Sequence, residues 1–189
     1  MAATCLDIIT YALRMSKIIG AGKEPKAAEE EEGMVALQSL YDDWRTGSMF
    51  GELEDVYLTE DDTAEEGKRY YTGDYTLTAA TSEYVDSCGT TRQPRDMALY
   101  ETFDGTTQTA KLYDRTEWVD LLDLVSTDTA PLSGRNAYGL AACLATSGGF
   151  IAAFGVEPSP ATVALSRHFL RNVMSKAGST QDSSGAEYF

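Results

Sequence analysis

The sequence predicts an α+β fold, in which a four-helix bundle made of two helical hairpins carries a β-rich insertion between its second and third helices. Apolar residues recur at helical spacing near both ends of the chain. Acidic residues concentrate between these ends, because residues 48–134 carry 19 acidic and 6 basic side chains, most of the formal net charge of -15. We therefore expect a helical core from residues 1–47 and 135–177, an acidic β-rich insertion at 48–134, and a flexible tail at 178–189.

The first helix is predicted to begin at a capping box formed by Thr4 and Asp7. In such a box the threonine oxygen accepts a hydrogen bond from a free backbone N–H, and the acidic residue lies at the positive end of the helix. We expect the glycine-rich segment 20–22 to end the helix. Its apolar stripe is Cys5, Ile8, Ile9, Ala12, Leu13 and Ile19.

The second helix is predicted to begin near Pro25, with four consecutive glutamates, residues 29–32, in its early turns. Four neighbouring side chains point in four directions around a helix, so this run indicates a solvated face rather than a metal site. The apolar stripe that follows is Met34, Leu37, Leu40, Tyr41 and Trp44.

The insertion reads as short strands joined by turns. Residues 97–103 and 107–113 are expected to form a hairpin through the Asp-Gly turn at 104–105. Further strands are predicted at 53–59 and 70–78, with an acidic loop between them, and Thr116 is predicted to cap a helical turn that carries Trp118, Leu121 and Leu122.

The third helix, predicted over residues 135–154, is rich in small residues. Small side chains allow neighbouring helices to approach closely, either within a subunit or across an oligomer interface. We assign this packing or interface role to Gly139, Ala142, Ala145, Gly149 and, on the second helix, Trp44.

A fourth helix is predicted to begin at Ser159 and Pro160, because serine is a common N-cap and proline a common first helical residue. It is expected to end before Gly178. Its inner stripe is predicted to be Val163, Ser166, Leu170, Val173 and Met174.

Candidate catalytic groups are few. Cys5, Cys88 and Cys143 lack the spacing of a disulfide framework or a zinc site, so we expect small buried hydrophobes in a reducing cytoplasm. The single histidine, His168, lies beside arginines on a solvated helical face. Residues 136–156 are uncharged, but their polar residues and glycines indicate a buried helix rather than a membrane span.

The acidic insertion leaves one catalytic alternative open. Glu52 and Asp61, with their neighbouring carboxylates, could hydrolyse a glycoside or hold a divalent cation. However, the spacing does not match a calcium-binding loop, and no phosphate-binding glycine motif accompanies it. The negative charge is also the wrong sign for sequence-specific nucleic-acid binding. Because acidic surfaces are common and catalysis needs convergent partner groups, we predict a protein that is not an enzyme and has no metal or cofactor.

The last twelve residues are too polar to form a core and end in Tyr188 and Phe189. This aromatic pair is either a chance ending or an anchor on a polar tether, and we assign it a partner-binding role.

Several segments, in order, resemble head-completion (head-to-tail adaptor or connector) proteins of tailed bacteriophages, of the packaged-DNA-stabilisation type. The resemblance covers roughly residues 4 to 176 and depends on the ordered set, not on one motif. In the helices it includes Ala12-Leu13-Arg14, Ile18-Ile19-Gly20, Glu24-Pro25, Ala36-Leu37-Gln38-Ser39-Leu40 and Trp44, and the Ala/Gly-rich third helix followed by Val156-Glu157-Pro158-Ser159. In the insertion it includes Tyr75-Thr76-Leu77-Thr78, Arg92-Gln93-Pro94-Arg95 and Arg115-Thr116-Glu117-Trp118.

The resemblance implies a structural role in the virion neck after synthesis in the host bacterial cytoplasm. Such adaptors bind beneath the portal protein, form a twelvefold ring that extends the DNA channel, retain packaged DNA and dock tail, nozzle or tube proteins. DNA passes through without sequence-specific binding. C-terminal segments of these proteins reach the portal or neighbouring subunits, which would give Tyr188 and Phe189 a purpose. We expect a monomer in isolation and a ring with the portal.

Two alternatives remain. One is another phage neck or tail-tube structural protein, which would assemble by the same physics at another place. The other is a hydrolase that uses carboxylates of the insertion, such as Glu52 or Asp61.

Overall fold

The structure, a computed structural model, describes residues 2–47, 49–52, 84–85, 91–92, 96–103, 108–115 and 117–177. Within these residues the chain is α+β, as predicted, with five helices and a small antiparallel sheet. The four-helix adaptor arrangement remains a prediction. The helices are α1 Cys5–Met15, α2 Ala27–Thr46, α3 Ser133–Thr146, α4 Gly148–Phe154 and α5 Pro160–Ala177. The strands are β1 Gly51–Glu52, β2 Tyr84–Val85, β3 Thr91–Arg92, β4 Ala98–Phe103, β5 Gln108–Asp114 and β6 Glu117–Asp120.

Helix α1 begins at the predicted capping box. The Thr4 hydroxyl accepts a hydrogen bond from the Asp7 N–H at 3.2 Å, and the Asp7 carboxylate accepts one from the Thr4 N–H at 2.9 Å. The helix ends at Met15, so the prediction that Ile19 continues the helical stripe is wrong. Lys17 adopts a left-handed conformation (φ 60°), and the Ile18 N–H donates to the Leu13 carbonyl at 2.9 Å, which closes the end of the helix.

The predicted helix 135–154 is two helices, α3 and α4, bent by 66°. The bend is at Ser147, whose extended backbone ends one helix while its hydroxyl caps the next. This hydroxyl donates to the Leu144 carbonyl at 2.8 Å and accepts from the Phe150 N–H at 3.3 Å. Two glycines follow Ser147 and have low helix propensity, so the capped break is favoured over a continuous helix.

The first turn of α3 is also separated from the rest. Asn136 is extended, and its side-chain oxygen accepts a hydrogen bond from the Gly139 N–H at 2.9 Å, as an N-cap does. Within the described residues no single helix is long and apolar enough to cross a bilayer; only α3 and α4 taken together reach that length and composition, and they are bent.

The predicted hairpin is confirmed, because β4 and β5 pair antiparallel with Leu99 opposite Leu112. The predicted helical turn after Thr116 is wrong, since residues 117–120 form strand β6 on β5. Trp118 lies opposite Tyr113 with ring centroids 5.3 Å apart, and this cross-strand pairing outweighs the capping signal. Strand β1 adds a two-residue parallel edge to β4, and β2 and β3 form a separate short ladder.

Sheet and helices share one hydrophobic core. Met97, Leu99 and Leu112 belong to the same buried cluster as the apolar faces of α1, α2 and α3. Within this cluster the buried Tyr41 hydroxyl donates to the Pro131 carbonyl at 2.7 Å. The predictions for 53–59, 70–78, the turn at 104–105 and the tail 178–189 lie outside the described residues.

Helix α5 packs chiefly against α3, and its inner face differs from the prediction. The buried residues are Thr162, Ser166, Phe169 and Val173. Met174, predicted to face inward, is 56% exposed. The helix is rotated relative to the predicted stripe because the Phe169 ring packs over Gly139, where no side chain obstructs it.

Candidate assembly surface

Three of the predicted small residues pack inside the subunit. Ala142 and Ala145 are fully buried, and Gly139 lies against Phe169 so closely that a Cβ atom would stand 2.7 Å from the ring Cδ2. Polar groups also join the two helices, because the Thr146 hydroxyl donates to the Ser166 hydroxyl at 3.1 Å. This face of α3 is therefore covered by other parts of the same chain.

Trp44 is partly buried at the C-terminal end of α2 and packs against the core. Its ring meets Tyr41 edge-on, with centroids 5.8 Å apart. Burial, followed by the charges of Cys5 and Asp114, raises the pKa of Tyr41 well above its usual value, so this phenol keeps its proton and its hydrogen bond. Tyr188 and Phe189, the predicted anchor, lie outside the described residues.

Gly149 differs from the other small residues, because it is exposed and lies in a groove between α2 and α4. A Cβ atom there would stand 3.7 Å from the Ala36 Cα, an ordinary van der Waals distance. The groove encloses about 470 Å³ and is lined by Ala28, Glu31, Glu32, Val35, Ala36, Ser39, Gly149 and Ala153.

The α2 side of this groove carries both acidic and apolar side chains. Helix α2 carries six acidic residues and one basic residue. Glu31 and Glu32 are exposed, and neither forms an ion pair within the part of the chain that the structure describes. Val35, about one helical turn further along α2, is 69% exposed. These residues leave one apolar side chain, and two carboxylates without an ion-pair partner among the described residues, available to another molecule.

Helix α5 has the opposite charge, with three basic residues and no acidic one. Arg167 and Arg171 are exposed and, among the described residues, have no carboxylate partner. The exposed Met174 follows them on the same face. His168 is solvent-exposed, as predicted, and its Nε2 lies 3.1 Å from the Asn172 amide nitrogen.

Ion pairs attach the helices to the sheet. The Arg135 guanidinium donates to the carboxylates of Asp114, at 2.9 Å, and Asp96. Burial lowers the pKa of Arg135, but the hydrogen bonds and charges of Asp96 and Asp114 outweigh it, and the net shift is upward. Arg45 on α2 forms a second bridge, at 2.7 Å, to Glu101 on β4. Sequence reasoning missed both pairs, since their partners are 21 to 56 residues apart.

The buried thiols are unsuited to nucleophilic chemistry. Burial, with a smaller effect of Asp128, raises the pKa of Cys5 to about 12. Burial also raises the pKa of Cys143 to about 11, although its hydrogen bond with Ser166 acts in the other direction. The prediction of small buried hydrophobes is confirmed for these two cysteines, and Cys88 lies outside the described residues.

Of the carboxylates proposed for hydrolysis, Glu52 lies within the described residues and the others do not. The backbone of Glu52 pairs with Leu99 at the sheet edge, and Asp61 lies in the range 53–83, which is not described. On the exposed surfaces, sequence reasoning missed Val35 and wrongly placed Met174 inward. The signal for Val35 was its position off the apolar stripe of α2, and no comparable signal exists for Met174.

No known protein-family model matches this chain, and no curated protein sequence matches it. The function is therefore inferred from the surfaces above and from the residues that resemble phage adaptors.

Proposed function

We propose that this chain is a structural head-to-tail adaptor of a tailed bacteriophage. It binds beneath the portal protein, assembles into a twelvefold ring that extends the DNA channel, retains the packaged genome and docks tail proteins. It acts by assembly in the virion neck and not by chemistry on a substrate.

The observation that carries this proposal is the separation of charge between two helices. Helix α2 carries six acidic residues and one basic residue, whereas α5 carries three basic residues and no acidic one. Helix α5 packs chiefly on α3, whereas the acidic groove lies between α2 and α4, so the two charged surfaces are on separate faces. The basic surface of one copy can therefore contact the acidic surface of the next copy. A closed head-to-tail ring requires two different, complementary surfaces of this kind on each copy.

The overall charge also supports a conduit for DNA. Most of the formal charge of -15 lies in residues 48–134. If these residues line the channel rather than face outward, a wall of the same sign as DNA would repel it, so that the genome would pass without adhering during ejection. This repulsion would act on any DNA sequence alike.

The test is to mix the full chain with its portal protein and to image the product by electron microscopy. We expect a twelvefold ring bound to the portal, and a monomer by sedimentation when the portal is omitted. A chain that stays single beside assembled portals would overturn the proposal. Rings that assemble without binding the portal would favour the alternative of a tail-tube or other neck protein.

If the purified chain forms a stable ring that also binds the portal, only the prediction that the chain stays monomeric without the portal is overturned. Portal alone and chain alone are the necessary controls, since each reports its own oligomeric state.

A further inference from the structure

We propose that the outer face of α5 of one copy docks into the groove between α2 and α4 of the next copy. This inference rests on the proposed function, because it specifies the contact between neighbouring copies in the ring. The occupant is a second copy of this chain.

The two surfaces have complementary charge. Arg167 and Arg171 are one helical turn apart on the exposed face of α5, and neither has a carboxylate partner among the described residues. The groove offers Glu31 and Glu32, which likewise have no cationic partner in the described ranges. Such charges steer two surfaces together and disfavour contacts between like surfaces.

The charged and apolar residues also follow the same order and spacing along α5 and along α2. Along α5, Met174 follows Arg171 by three positions, and along α2, Val35 follows Glu32 by three positions. When the two helices lie parallel, Arg171 can therefore meet the glutamates while Met174 meets Val35. Met174 is 56% and Val35 69% exposed, so this contact would remove two large apolar side chains from water.

The floor of the groove leaves room for a helix to approach. Ala36, Gly149 and Ala153 form its small-residue lining, and the groove encloses about 470 Å³. A flexible methionine side chain is well suited to fill such a space. A chain cannot place its own α5 there while that helix is packed on its α3, so a neighbouring copy must supply it.

The first experiment maps the contact by disulfide cross-linking of full-length chains at high concentration. All chains carry Cys88→Ser, so that the buried Cys5 and Cys143 are the other thiols. A Val35→Cys chain is mixed with a Met174→Cys chain, and a Val125→Cys chain with a Tyr138→Cys chain serves as the matched control. The control positions are 54% and 59% exposed, close to the values at the test positions.

We expect the Val35→Cys and Met174→Cys mixture to give about tenfold more mixed dimer than either homodimer, and the control mixture to give no such excess. High salt should reduce the excess, because surface charges are screened within about 10 Å. Equal yields in the test and control mixtures would overturn the proposed contact.

The second experiment exchanges the charges. One variant carries Glu31→Lys with Glu32→Lys, and the other carries Arg167→Glu with Arg171→Glu. At the high chain concentration used for cross-linking, where the weak contact between copies is populated, we expect each variant alone to associate with its own kind about tenfold more weakly than the wild-type chain, because both of its surfaces then have the same sign. A mixture of the two variants should recover association, since every groove again meets an α5 of opposite charge.

The outcomes separate this inference from the proposed function when the same variants are imaged with the portal. Rings that form with wild-type chain and with each single charge variant would overturn the contact and leave the adaptor function intact. Loss of rings in each variant and recovery in the mixture would support both. If the wild-type chain forms no rings with the portal, but Val35→Cys and Met174→Cys chains still cross-link selectively, the contact between α5 and the groove is supported and the ring is overturned.

Discussion

Gly139 on α3 lies against Phe169 on α5, and a Cβ atom at position 139 would stand 2.7 Å from the ring Cδ2 and 2.9 Å from the Phe169 Cβ. The absence of a side chain at Gly139 therefore sets the distance between the two helices. Because α5 packs chiefly on α3, this one contact also determines which face of α5 is exposed.

We predict that Gly139→Ala destabilises the protein by about 1–3 kcal/mol, because the added methyl group overpacks the α3–α5 interface. Urea unfolding measures the change. Gly148→Ala is the matched control: nothing lies within 4 Å of the added Cβ, so its stability should be unchanged or slightly higher. Equal destabilisation by both variants would contradict the contact.

Arg135→Ala should destabilise the protein by about 2–4 kcal/mol, since it leaves Asp96 and the largely buried Asp114 without their shared cation. Arg135→Lys should restore only part of this loss, because an ammonium group cannot reproduce the planar donors of a guanidinium. The control is Lys111→Ala, which breaks the surface pair with Asp120 and should cost no more than about 1 kcal/mol. Full recovery by lysine would contradict the bridging geometry.

Ser147→Ala should destabilise the protein by about 1 kcal/mol, because it removes the side-chain cap of α4. Ser147→Asp should retain most of the stability, since its carboxylate can accept from the Phe150 N–H and lies at the positive end of the helix. Thermal unfolding of the three proteins measures the difference. If alanine and aspartate behave alike, the hydroxyl does not act as a cap.

The stability of the protein should fall as the pH rises above about 9. The folded state raises the pKa of Cys143 to about 11 and of Cys5 to about 12, so it retains protons that an unfolded thiol, with a pKa of about 8.5, releases. The stabilisation is complete below the unfolded pKa and is lost as the pH rises toward the folded values.

Urea unfolding across this pH range tests the decline, which should be shallower in a Cys143→Ala variant. In a Cys88→Ser background, a thiol reagent at about pH 8 should react only after denaturant is added. Rapid reaction of the folded chain would contradict the buried, protonated state of both thiols.

Deletion of residues 178–189 should leave the melting temperature unchanged but weaken assembly on the portal, because this polar segment cannot form a core yet ends in two aromatic residues. Calorimetry and sedimentation measure the two effects. Tyr188→Ala with Phe189→Ala should weaken assembly as the deletion does. Unchanged assembly in both variants would show that the aromatic pair is not an anchor.

The features that could be predicted from sequence are those encoded by neighbouring residues. The capping box of α1, the apolar stripe of α2 and the hairpin of β4 and β5 each depend on residues a few positions apart. Local patterns of this kind are visible in the chain because the same residues act on one another in the structure. The α+β class followed from them.

Most of the predictions that were wrong, and the features that were missed, depend on contacts between residues that are distant in the sequence. Trp118 joined a strand because Tyr113 and Tyr100 lie beside it, and Met174 turned outward because Phe169 fits over Gly139. The break at Ser147 is the exception, because it is local: the Ser147 hydroxyl caps α4 three residues from Phe150, a signal that the apolar pattern alone does not show.

The sequence by itself determined the fold class, the acidic centre and the unequal charges of α2 and α5, since composition and short-range periodicity are properties of the chain. Only the tertiary structure decided which charges and apolar groups remain exposed, because exposure depends on which distant residues cover a helix. The groove between α2 and α4 and the exposed face of α5 with Arg167 and Arg171 could therefore be identified only in the tertiary structure.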